Sequence, residues 1–67
     1  MIYELSARFD SRKSFYGKAK VEEKNGNYYL YSYGTLVSKI EGGKLEHLGK
    51  WSQTTTRHQK EFEKQFA

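Results

Sequence analysis

The chain of 67 residues contains no cysteine and no proline. Without cysteine there can be no disulfide, no thiolate zinc site and no thiol nucleophile. No oxidising compartment is needed, and the cytosol is the default expected location. Without proline, and with six glycines, the connections should be short hairpin turns and not a linker or disordered tail. No stretch approaches the roughly 20 apolar residues that cross a bilayer, so no membrane role is expected. The opening MIYELSARFD reaches Glu4 and Arg8 before an apolar run can form and is not expected to act as a signal peptide.

Charge is present in excess of one sign. Twelve Lys and Arg against eight Asp and Glu give a net charge of +4. That surplus suits an anionic partner such as nucleic acid, or it serves solubility on a mixed surface. The acidic residues are interspersed and no basic block stands out. Folding at this length hides only about 60% of the surface of the unfolded chain. A single domain over 1–67 is expected, with oligomerisation as one route to added stability.

The layout reads as follows. Residues 1–13 are either an edge strand, in IYEL, or partly disordered. SFYGKAKVEEK from Ser14 reads as a strand, Asn25-Gly26 as a type I′ turn, and NYYLYSY as the next strand. TLVSKIE follows Gly34, Gly42-Gly43 turns the chain again, and KLEHLGKW completes a β-meander over 14–51. SQTTTRHQKEFEKQFA then reads as a helix over 52–66, N-capped by Ser52 or Thr54. Thr55, His58 or Gln59, Phe62 and Phe66 share its apolar face, with Arg57 and Glu61 paired on the solvated side. The fold class is α+β: an antiparallel meander sheet of four or five strands with one C-terminal helix packed on one face.

Register assigns faces. The Asn25-Gly26 turn sets Val21 opposite Leu30, Ala19 opposite Ser32, and Glu22, Lys20 and Lys18 opposite Tyr29, Tyr31 and Tyr33. Gly42-Gly43 sets Ile40 opposite Leu45, sharing a face with Leu36 and Trp51. A three-residue loop at Gly34 would put that set beside Val21 and Leu30; a two-residue loop would put it beside the tyrosines. The first is preferred because it gathers the aliphatics under the helix. Either way both faces carry apolar or aromatic surface and one helix can cover only one of them.

Tyr29, Tyr31, Tyr33, Lys18 and Lys20 are therefore the candidate binding surface. Bases of a single strand could stack on such rings with phosphates at the lysines. Tyrosines also anchor protein interfaces, with self or a foreign partner, and Tyr–Lys packing can be purely structural. A second candidate is an anion site at the helix start, from Ser52, Thr54, Thr55 and Arg57; ordinary capping, with Trp51 in the core, competes with it. His47 and His58 have no carboxylate or second histidine at ligand spacing, so no metal or cofactor is expected. Ser14, Ser32 and Ser52 have no base beside them in the sequence, and no catalytic group is assigned.

SFYGKA at 14–19, LYSYGTLV at 30–37 and WSQTTTRHQKEF at 51–62 together resemble a family of small uncharacterised proteins from phages and mobile elements of Gram-positive bacteria. The resemblance covers the chain beyond residue 13. It implies an accessory protein acting inside a bacterium and assigns no functional residue. The resulting expectation is a non-enzymatic binding protein that modulates a host or phage protein or nucleoprotein complex, as an anti-defence inhibitor of anti-CRISPR type would. The alternative is a nucleic-acid-binding module using the Tyr/Lys face, and a homodimer is compatible with both.

Overall fold

Alternation of small apolar and charged residues in AKVEEK makes strand β2, Ala19–Lys24, burying Ala19 and Val21 while Lys20 points to solvent. A computed structural model of the chain describes residues 1–10, 15, 17–49 and 51–67. Five strands, β1 (Ile2–Glu4), β2, β3 (Asn27–Ser32), β4 (Thr35–Glu41) and β5 (Lys44–His47), form one antiparallel sheet in chain order, followed by helix α1, Gln53–Phe66. The meander and its C-terminal helix are those the sequence predicts, with the fifth strand at the N-terminus realised. Residues 11–13 of the opening segment lie outside the described residues.

Two element bounds differ from expectation. Strand β2 starts at Ala19, not at Ser14. Phe15 turns into the core, Lys18 N donates to Phe15 O at 2.9 Å, and Gly17 has φ +72°, a turn that a continuous strand cannot contain. Ser14 itself is outside the described residues. Strand β5 ends at His47, because Gly49 at φ +74° redirects the chain.

The β2–β3 pairing follows the predicted register from Lys24↔Asn27 to Ala19↔Ser32. Asn25 and Gly26 both have positive φ, as a type I′ turn requires. Strand β4 resolves the register question in a way that neither loop length provides. The loop has two residues, Tyr33 and Gly34, at φ +52° and +80°. Tyr31 consequently faces Leu36, yet Leu30 faces Ser38, and Val37 is the extra residue of a bulge. Leu36 thus lies beside the tyrosines, while Val37, Ser38 and Ile40 are buried on the helix side. Leu36 does not share a face with Ile40, and Trp51 does not join the core: it stays 43% exposed, its indole N–H donating to Leu48 O.

The core comprises Leu5, Ala7, Phe15, Ala19, Val21, Leu30, Val37, Ile40 and Phe62, with Tyr3, Tyr28, Leu45 and Phe66 around it. Phe62 and Phe66 stand one turn apart on α1, and Phe66 stacks on Tyr28 at 4.8 Å between centroids. The first segment is fixed to the helix by polar bonds. Glu61, expected on the solvated side, is only 2% exposed: its carboxylate accepts from Phe9 N and Asp10 N at 2.8 and 3.0 Å and from Gln65 Nε2 at 2.6 Å. Arg57 accordingly turns away from Glu61 and grips Asp10 with Nε and Nη2 at 2.8 and 2.9 Å.

Candidate interaction face of the sheet

The sheet face turned away from α1 has no covering element among the described residues. Its middle is Tyr31 and Leu36 on neighbouring strands, with Tyr29 one pleat further along β3. Tyr33 sits at the turn, 58% exposed, and Ile2 of β1 is exposed on the same side. Lys18 and Lys20 flank Tyr31 and Tyr33 around a shallow depression of about 390 Å³. The structure therefore gathers the five predicted binding residues on one surface. Ile2 and Leu36 belong with them, and Leu36 is there because the Tyr33-Gly34 loop has two residues.

The tyrosines are not free rings. Tyr29 Oη donates to Glu41 Oε2 at 2.8 Å, and Tyr31 Oη donates to Glu22 Oε1 at 3.3 Å. The bond to Glu41 pushes the Tyr29 phenol above its ordinary range and holds the Glu41 carboxyl below its own, with Lys39 at 3.2 Å adding to the second effect. Burial, then the charge of Glu22, raises the Tyr31 phenol. Both hydroxyls are thus held protonated as donors.

Charge on this face is close to balance. The pairing puts Lys18, Lys20, Lys24, Lys39 and Lys44 there with Glu4, Glu22, Glu41 and Glu46. Five lysines against four glutamates leave a surplus of one on this face. An aromatic and aliphatic centre inside a mixed-charge rim has the anatomy of a protein contact surface, not of a phosphate track.

The helix start is engaged internally. Ser52 is the N-cap, its Oγ accepting from Thr55 N at 3.3 Å. Thr55 is buried with its hydroxyl 3.0 Å from Ser32 Oγ, and Arg57 is held by Asp10. Thr54 is half-buried. Of the four predicted anion ligands, three are directed to partners within the protein.

Two serine–histidine pairs appear that sequence spacing does not show. Ser32, read as lacking a base, has His58 Nδ1 at 2.8 Å from its Oγ. Ser38 Oγ lies 2.6 Å from His47 Nδ1, and His47 Nε2, read as having no carboxylate, lies 3.3 Å from Glu63 Oε1. Ser38 faces His47 in the register that the Gly42-Gly43 turn sets, whereas Ser32–His58 and His47–Glu63 arise only from helix docking. The order Ser38–His47–Glu63 is that of a hydrolytic triad. Its hydroxyl, however, is fully buried, so a substrate carbonyl has no approach to Ser38. Among the described residues no group of three His, Asp or Glu could hold a metal ion.

The chain's residues 3–67 match a family of unknown function, DUF8033. The chain belongs to this family. The match begins within β1, at Tyr3, and runs through the meander and the helix. No curated protein and no solved structure matches it. Among the described residues, no helix is long and apolar enough to cross a membrane.

Proposed function

We propose that the protein is a non-enzymatic binding module that docks a partner protein on the Tyr29–Tyr31–Leu36 face of its sheet and thereby modulates that partner. One observation carries this: an aromatic and aliphatic centre, rimmed by nearly balanced charge, lies on the side of the sheet that no element among the described residues covers. Interfaces place such residues at their centre and polar groups at their edge. The motif resemblance to phage and mobile-element proteins supports a host or phage protein, alone or within a nucleoprotein complex, as the partner, met in the bacterial cytoplasm. An anti-defence inhibitor fits this description. Nucleic-acid binding at the same face has less support, because carboxylates occupy both tyrosine hydroxyls and the local surplus of charge is small.

The test is affinity capture from host and phage-infected lysates with the wild-type chain and with Tyr31→Ala and Leu36→Asp side by side. A partner recovered by the wild type and lost from both variants, which stay folded by circular dichroism, is the expected result. Failure to recover any partner, or equal recovery by the variants, would remove this face from consideration. Sedimentation at high concentration separates a foreign partner from a second copy of the chain.

A further inference from the structure

We propose that the opposite side of the molecule carries a second contact surface, for single-stranded nucleic acid, built on Phe9 with Arg8, Lys60 and Lys64. Phe9 is 58% exposed although its backbone N–H is anchored to a buried carboxylate. Its N–H and that of Asp10 donate to the buried Glu61 carboxylate, and Asp10 is clamped by Arg57. The ring is thus held outward on a fixed support instead of folding into the core.

Arg8, Lys60 and Lys64 are exposed and form no ion pair among the described residues. Lys60 and Lys64 stand about one turn apart on α1, about 6 Å along its axis. Two shallow depressions meet at Phe9 and Lys64. One, of about 280 Å³, includes Arg57 and Lys60; the other, of about 340 Å³, includes Arg8. Of the three carboxylates lining these depressions, Asp10 is held by Arg57 and Glu61 by backbone amides, so an arriving anion displaces neither, and Glu4 stands exposed at the edge of the second.

A single strand supplies what both kinds of group can use: phosphates for the cations and a flat base for the ring, in every repeat. An acidic peptide would satisfy the cations and leave Phe9 uncovered. A duplex keeps its bases stacked and out of the ring's reach.

The experiment is fluorescence anisotropy of labelled oligothymidylate, oligouridylate and a DNA duplex, at low and at physiological salt. Preferential single-strand binding is expected, with a log–log salt slope of about −2 from roughly three phosphate contacts. Lys60→Glu combined with Lys64→Glu should weaken it at least about tenfold, and Phe9→Ala by about 5- to 100-fold, the range for losing one stacked base. Phe9→Leu keeps apolar bulk without the ring and carries the test if the alanine variant does not fold. Tyr31→Ala should leave the affinity unchanged, which separates this surface from the sheet face. Absence of binding at low salt, indifference to both Phe9 variants, loss on Tyr31→Ala, or preference for polyglutamate over the oligonucleotides would each overturn the proposal.

Discussion

His58 Nδ1 lies 2.8 Å from Ser32 Oγ, while Nε2 of the same buried ring meets no hydrogen-bond partner among the described residues. Phe15 packs edge-on against the ring at 4.5 Å between centroids, and Tyr33 lies over it at 6.1 Å. Burial, reinforced by the Arg57 charge, holds the imidazole below its ordinary range, with Asp10 opposing weakly. A neutral imidazole fits this place and an imidazolium does not.

Stability should therefore depend on pH in a definite direction. As pH falls below about 6.5, the unfolded chain takes up a proton at this position that the folded protein resists. The contribution is complete above that pH and is lost as pH falls toward the depressed folded value. Urea midpoints measured from pH 7.5 downward should drop in the wild type, and this part of the slope should vanish in His58→Gln, whatever that variant's absolute stability. A slope unchanged by the substitution would refute the assignment.

Glu61→Ala should cost about 3 kcal/mol, because two backbone amides and the Gln65 side chain lose a charged acceptor that nothing else replaces. Glu61→Gln should be intermediate, since one oxygen remains but the new amide group faces backbone donors. Equilibrium unfolding gives the ranking. Equal stability of wild type and Glu61→Ala would show that the bonds from Phe9 and Asp10 do not hold this segment.

Tyr33 adopts φ +52°, a region that disfavours a bulky side chain and suits asparagine or glycine. Tyr33→Asn should raise stability by about 0.5–1 kcal/mol through relief of that conformation. Contact between its ring and His58 is lost at the same time, which limits the gain. The same substitution should weaken partner capture, because the ring stands at the edge of the sheet face. Thermal melts read the first effect and capture the second; a loss of stability would mean that ring packing outweighs the backbone term.

Phe62→Ala should leave a cavity beneath the sheet and cost about 3–5 kcal/mol, as for other fully buried aromatic residues. In so small a domain that is most of the available stability. Loss of cooperative melting, or a large fall in its midpoint, is the expected reading. A melt indistinguishable from wild type would contradict Phe62 as the link between helix and sheet.

Turn chemistry and alternation, both local, specify the meander and the β2–β3 register down to the Lys20–Tyr31 pair. The helix is equally local: Ser52 as cap, then Thr55, His58, Phe62 and Phe66 at its spacing, produce α1 where the sequence places it. This is why the five residues of the sheet face could be named from sequence. Leu36 stayed open between two loop lengths at Gly34, and Ile2 could not be placed, because it depends on the β1–β2 pairing.

What only the tertiary structure decided lies in contacts between distant segments. Val37 is extruded where its carbonyl can accept from both Leu48 N and Gln59 Nε2, each at 2.8 Å. Glu61 is buried because the amides of Phe9 and Asp10 meet it across more than fifty residues of chain, and Arg57 then finds Asp10 instead of its helical neighbour. Ser32 gains His58, and His47 gains Glu63, in the same way. Periodicity and turn residues act over a few positions and so determined the elements, their order and the tyrosine ladder. Satisfying buried polar groups is a condition on the whole packed chain, and it determined which side chains are sealed, which stay outside and where the unpaired charge is left.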